Sequence, residues 1–407
     1  MTAIADRKHE AAPDDRLARR NAIVLSLTQA LAGANNTVIV ATGGIVGAML
    51  APERSLATLP VTAYVVGLWF GTLPMGYLAR HFGRRTAFQI GTTCGVATGL
   101  ICCYAVLQGS FALFCLGAFV SGLYAAAHQG YRFAAADTAS DTFKPKAISW
   151  VLLGGVAAGI VGPQLIILTK DLWPPFLFAV TYLVQASIAV VAAGVLGLLR
   201  IPKLAPPKQG EEGRALRAIV AQPRFVVAVA CGIASYAMMN MVMTAAPLAM
   251  VECNHTVTDA TLGLQWHVMA MFAPSFFTGH LISRFGVEKV TGAGLLLILA
   301  SAAVSIAGIA LWNFWLGLIL LGVGWNFGFI GATTMVTQCH RPAERHKVQS
   351  FNDFLVFGSM AVGSFMSGQL LASAGWAVIN ELVFPFVLAA GALLAWQVFR
   401  RPAPAAS

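Results

Sequence analysis

Gly76-Tyr-Leu-Ala-Arg80-His-Phe-Gly83-Arg84-Arg85 closes one long apolar run, and Gly279-His-Leu-Ile-Ser283-Arg284-Phe-Gly286 closes another 203 positions later. Each copy sets a glycine seven residues before a second glycine, with basic residues beside them. Glycine permits a tight turn and close helix contact, and clustered Arg and Lys mark the end of a span. A short basic turn would explain either copy alone. Two copies at matching positions point to a duplicated helical bundle.

The rest of the 407 residues fits that reading. The chain is 58% hydrophobic and only 10% charged, against roughly one half and one quarter in soluble domains. Apolar runs of membrane-crossing length fall near 21–49, 57–79, 87–107, 111–131, 147–169, 175–199, 225–251, 262–283, 289–309, 313–337, 348–373 and 376–399. The net charge of +10 does not indicate nucleic acid, because the basic residues sort by membrane side. With both termini in the cytoplasm, all Lys and Arg except Arg54 and Lys170 lie in cytoplasmic segments. The expected organisation is a cytoplasmic tail (1–20), a six-helix bundle (21–200), a polar linker (201–224), a second six-helix bundle (225–399) and a short cytoplasmic tail (400–407). Residues 1–20 lack the apolar core of a secretory signal. The seven cysteines show no CxxC spacing, which argues against a disulfide framework.

The two glycine-basic loops resemble the loop signature of the major facilitator superfamily, and the resemblance of topology and repeat covers nearly the whole chain. It implies an all-α membrane protein, twelve transmembrane helices in two six-helix bundles, with a midplane site worked by alternating access. Gly76, Arg80, Gly83, Arg84, Gly279, Arg284 and Gly286 are then the residues of the conformational loops. The acidic residue of the family signature is replaced by Arg80 in one copy and Ser283 in the other.

No GxxxxGK[ST] phosphate loop and no catalytic triad or paired buried carboxylates occur, so ATP hydrolysis and enzyme chemistry are not expected. Methionine stands out: Met238, Met239, Met241, Met243, Met250, Met269 and Met271 account for seven of the thirteen. Singly, each reads as flexible apolar filling. His267 adds an ionisable group inside a span, which usually faces a cavity, a partner or a pathway; a hydrogen bond to a neighbouring helix is the other reading. In a hairpin turning at His255, Met243 lies level with His267 and Met239 with Met271. Thioether and imidazole together suit Cu(I), giving two rungs along which copper would step as transported substrate, with no permanently bound cofactor.

This spacing resembles the CcoA-like branch of the superfamily, bacterial copper importers for cytochrome oxidase assembly. The resemblance implies Met239, Met243, His267 and Met271 as copper ligands, Cys231 and Cys253 as accessory metal or redox residues, residence in the bacterial inner membrane, and hand-off to cytoplasmic copper carriers. His255, with Cys253, Glu252 and Asp259, is a candidate capture site in the outer turn. Asn35 and Asn36, with Gln29 and Thr37, His128 and Tyr131, and Trp325 and Asn326 are candidate cavity-lining residues. Their amides and rings suit an organic ligand better than a bare ion, which leaves riboflavin import, known in relatives of the same branch, as an alternative. A proton-coupled drug exporter is another, suggested by Gly155, Gly159, Gly162 and Pro163. Asp353 is the candidate proton-coupling carboxylate.

Overall fold

A computed structural model describes residues 15–137, 139–140, 143–201, 213–341 and 344–400. Its helices are α1 (Asp15–Leu50), α2 (Leu59–His81), α3 (Arg84–Gln108), α4 (Phe111–His128), α5 (Tyr131–Asp137), α6 (Lys144–Thr169), α7 (Ala179–Leu196), α8 (Leu216–Val220), α9 (Pro223–Glu252), α10 (Val257–Phe272), α11 (Ser275–Phe285), α12 (Val287–Ile306), α13 (Leu311–Thr337), α14 (Arg345–Glu381) and α15 (Val383–Arg400). Ten helical segments are long and apolar enough to cross a membrane. One of them, 347–399, is two spans: the backbone breaks at Gly375, where φ is 82°. The expected eighth span is interrupted instead of continuous. Pro274 lacks an amide hydrogen and sits between α10 and α11, and Thr278 Oγ1 donates to its carbonyl at 2.8 Å.

The first helix starts six residues before the expected boundary of the tail. Asp15 opens it, accepting bonds from the Ser140 amide at 3.1 Å and hydroxyl at 3.0 Å; the remainder of the expected N-terminal tail, and all of the C-terminal one beyond Arg400, lie outside the described residues. In the linker, Arg214 donates to both carboxylate oxygens of the fully buried Glu344, at 2.9 and 2.8 Å. The Arg214 guanidinium and the Arg341 amide hold that carboxyl below the ordinary carboxylate range.

Small residues let the helices of each half approach closely. A Cβ on Gly67 of α2 would stand 2.1 Å from the Phe119 carbonyl of α4, and one on Gly122 would stand 2.1 Å from the Tyr64 carbonyl of α2. Van der Waals packing of this kind replaces the hydrophobic drive that lipid removes. The duplicated loops share a backbone: Gly83 has φ 89° and ψ 155°, Gly286 φ 89° and ψ 150°. Only glycine adopts that conformation at ease. Gly76 and Gly279, by contrast, have nothing within 4 Å of a would-be Cβ, so close helix contact is not their task in this conformation. Arg80 is exposed. Arg84 pairs with Asp137 of α5, Nε to Oδ2 at 2.5 Å, and in the second half Arg224 pairs with Glu288 at 3.2 Å. Arg284 lies over the Phe285 ring.

The two halves meet on the side away from the basic loops. There Arg54 pairs with Glu252 at 2.6 Å, Thr58 and Thr62 donate to Ser364, Gln369 donates to the Ser55 carbonyl, and Gln164 donates to Gln265. Gly159 of α6 faces Val268 of α10, and Gly155 faces Phe272. The short helices α5 and α11, at the basic face, pack within their own halves. The far face is therefore closed, and deeper along the seam Trp69 of α2 meets Phe354 of α14 with ring centroids 5.1 Å apart.

Candidate functional site

The central cavity lies between the halves and holds about 890 Å3 of atom-free space, part of it continuous with solvent. Its walls follow from helical spacing. On α1 the lining residues Gln29, Gly33, Asn36, Thr37 and Val40 recur at intervals of three and four, as do Tyr236, Met239, Asn240 and Met243 on α9, and Leu264, Val268, Met271 and Phe272 on α10. Tyr64 and Leu68 of α2, His128 and Gln129, Gly155 and Ala158 of α6 and Met360 of α14 complete it. None of these residues is Asp, Glu, Lys or Arg. An uncharged wall suits a neutral ligand, since a buried unpaired charge is costly.

Met239, Met243 and Met271 are thus brought to one cavity, but His267 is not. It sits between the cavity stripe of α10 and the face that packs on α13, where Gly263 meets Trp315 and Ala270 meets Gly322. Its ring is fully buried and its Nδ1 donates to the Leu318 carbonyl at 2.7 Å. Residues four apart share a face only to within about 40°, and here that offset turns Met271 inward and His267 toward α13. His267 thus stands off the cavity lining, with its Nε2 buried and without a hydrogen-bond partner. Among the described residues no cluster of three or more His, Cys, Asp or Glu is placed to hold a metal.

The accessory positions are also engaged elsewhere. Cys231 is buried against the Ala390 carbonyl of α15, 3.9 Å away, and Cys253 is 22 positions further along α9, roughly 33 Å of helix. Neither is in a disulfide. In the outer turn His255 Nε2 donates to the Ile309 carbonyl at 2.8 Å, Asp259 caps α10 through Thr256, and Glu252 is paired with Arg54. These bonds make the turn a structural corner.

Of the expected lining residues, Gln29, Asn36, Thr37 and His128 reach the cavity. Asn35 instead exchanges hydrogen bonds with Gln185. Asn326 holds the α10–α11 break, donating to the Met271 carbonyl at 2.6 Å and to Ser275 at 2.7 Å, and accepting from Thr278 at 2.6 Å. Tyr131 is fully buried. Trp325 stands behind the lining, stacked on Phe329 with centroids 5.4 Å apart and edge-on to Tyr236 at 5.2 Å and Phe272 at 6.2 Å. Sequence reading missed Tyr64, Tyr236 and Phe272, aromatic residues that lie within long apolar runs. Asp353 accepts from its neighbour Asn352 at 3.1 Å and does not line the cavity. Gly162 gives α6 its close approach to Thr37 of α1, so the glycines of α6 serve packing.

The sequence profile of the Major Facilitator Superfamily matches residues 25–273 and 228–407. The chain belongs to this superfamily. It is a multi-pass membrane transporter, not an enzyme. Among solved facilitators, the nucleoside transporter NupG shares the fold with a TM-score of 0.68 at 13% identity, over 95% of this chain and 100% of that one. A bacterial homologue of the human lysosomal transporter Spinster, inward-facing and unoccupied, does so with a TM-score of 0.70 at 14% identity, over 96% and 100%. In sequence, this facilitator is 50% identical to the riboflavin transporter RfnT of Brucella anthropi over 376 residues, 92% of this chain and 94% of that one. It is 26% identical to the uncharacterized MFS-type transporter YdeG of Bacillus subtilis, over 89% and 88%.

The RfnT match overturns the expectation of a copper importer that supplies cytochrome oxidase assembly. The methionine spacing is real, but it belongs to an apolar cavity wall.

Proposed function

We propose that this facilitator takes up riboflavin, carrying it by alternating access toward the basic face. We take that face as cytoplasmic, with both termini on it, and the membrane as the bacterial inner membrane. The observation that carries this is the 50% identity to a riboflavin transporter across nearly the full length of both chains. The cavity supports it on physical grounds. Riboflavin is neutral, and so is the lining. Its flat ring system finds Tyr64, Tyr236 and Phe272 for stacking or edge contact. Met239, Met243, Met271 and Met360 offer polarizable thioethers that adapt to ring edges. The ribityl hydroxyls find Gln29, Thr37, Gln129 and Asn240.

Uptake of labelled riboflavin by cells that lack their own flavin carrier and express this chain tests the proposal. Saturable accumulation, suppressed by excess unlabelled riboflavin, is the expected result. Accumulation no greater than in cells without the chain, with the protein present in the membrane, overturns it.

A further inference from the structure

Among the described residues, Asn36 of α1 and His128 at the end of α4 form the one bond from side chain to side chain between two residues that both line the cavity: Asn36 Nδ2 donates to His128 Nε2 at 2.5 Å. His128 is only 8% exposed, and its ring sits edge-on to Tyr124, with centroids 6.1 Å apart, and 6.0 Å from Tyr131. Accepting through Nε2 places the imidazole proton on Nδ1, which is itself buried without a hydrogen-bond partner. The Asn36 carboxamide then has its Oδ1, which is buried and has no partner, together with a second amide hydrogen. Its neighbour Asn35 shows the contrast, with its amide fully engaged by Gln185. A buried amide oxygen left without a partner costs free energy until a ligand supplies one.

We propose that Asn36 reads the imide edge of the flavin ring, and that His128 is the positioning residue that fixes which way the Asn36 amide points. The proposal rests on the riboflavin reading and deepens it. A carboxamide edge presents one acceptor beside one donor. The pyrimidine-like ring of a flavin presents the complement, an N3–H beside a carbonyl. Pairing the two satisfies Asn36 Oδ1 without breaking the bond to His128, which occupies the other amide hydrogen. A flipped amide would require the other imidazole tautomer, with Nε2–H donating to Asn36 Oδ1, so the His128 tautomer and the Asn36 orientation are set together. The substrate class that follows is neutral heteroaromatic rings bearing an unsubstituted imide. Ligands methylated at N3 keep their shape and stacking but lose the donor and gain a clash.

The test is competition against labelled riboflavin uptake by riboflavin and by N3-methylriboflavin, in wild type, Asn36→Ala, Asn36→Asp, His128→Ala and His128→Gln, each normalised to folded protein in the membrane. In wild type, N3-methylation weakens competition about tenfold, the scale of leaving a buried hydrogen-bonding group unpaired. In Asn36→Ala the two competitors differ by less than about twofold, because the group that tells them apart is gone. Asn36→Asp, isosteric but offering acceptors alone, loses riboflavin itself. His128→Gln keeps an acceptor toward Asn36 and retains the discrimination, whereas His128→Ala loses it; a packing role alone would not separate these two. Equal competition by both flavins in wild type overturns the proposal, as does undiminished discrimination in Asn36→Ala. If wild type carries riboflavin yet ignores N3-methylation, only this inference fails; if wild type carries no riboflavin, both readings fail.

Discussion

Alanine at Gly368 should open the far face of the transporter without unfolding it. A Cβ there would stand 2.2 Å from Thr58 Oγ1, 3.2 Å from Thr58 Cβ and 3.1 Å from the Ser55 carbonyl, the first being more than roughly 1 Å inside van der Waals contact. Thr58 can rotate its hydroxyl away only by giving up its bond to the Ser364 carbonyl at 3.3 Å, and the Ser55 carbonyl is already held by Gln369 at 3.2 Å. Gly368 belongs to one half and Thr58 to the other, so the crowding exists only while the far face is closed. Overpacking of this kind costs about 1–3 kcal/mol, which shifts the ratio of the two conformations about 5- to 150-fold toward the one open at the far face. Gly67→Ala is the control, since its methyl would meet the Phe119 carbonyl at 2.1 Å within a single half and so burdens both conformations alike. Spin labels at the exposed positions Leu172 and Ile309, one in each half, report the far-face separation by pulsed dipolar spectroscopy in a background without reactive cysteine. Longer distances gain population in Gly368→Ala, while Gly67→Ala lowers thermal stability and leaves the distribution in place. An unchanged distribution in folded Gly368→Ala refutes the claim that this seam holds the far face shut.

Three further outcomes follow from the same geometry. Tyr236→Ala removes the ring that links the cavity to Trp325, Phe329 and Phe357 and raises the riboflavin KM by about 2- to 12-fold, the worth of an aromatic contact; initial uptake rates against concentration measure it, and an unchanged KM excludes stacking on this wall. Met239→Leu with Met243→Leu keeps volume and apolar character, so riboflavin uptake stays within about tenfold of wild type, a result that scintillation counting checks; a larger loss contradicts the reading of these residues as apolar wall. Glu344→Gln loosens the linker clamp, read as faster amide hydrogen exchange over 213–220. Because the Glu344 carboxyl lies below its unfolded value in the folded state, the clamp in wild type is fully present above the ordinary carboxylate range near pH 4 and is lost only as pH falls through the depressed value; exchange in wild type that accelerates already between pH 7 and 5 contradicts this.

The architecture was legible because membrane burial leaves a coarse mark. Long apolar runs became helices, though with shifted ends, and the Gly83 and Gly286 repeat kept one backbone conformation. The interruption at Pro274 was not legible from hydropathy, since apolar residues continue on both sides of it. The site was legible by region and illegible by side chain. Asn35 and Asn36 are adjacent and chemically identical, but successive residues on a helix point about 100° apart, so one is consumed by Gln185 and the other reaches the cavity. The same geometry misdirected the reading of His267: spacing of three and four located the face of α10 correctly, yet the hydrogen bond to Leu318 from the neighbouring helix decided where the imidazole went. Methionine content carried no information about cargo, because a thioether lines an apolar cavity as readily as it binds a soft ion.

Counterflow in proteoliposomes bears most directly on cargo, because it needs neither a coupling ion nor a second protein. With the purified chain reconstituted and the vesicles loaded with unlabelled riboflavin, external labelled riboflavin should accumulate transiently above equilibrium, and should not do so in empty vesicles or in vesicles without protein. Absence of that overshoot with folded, reconstituted protein would contradict riboflavin as the cargo.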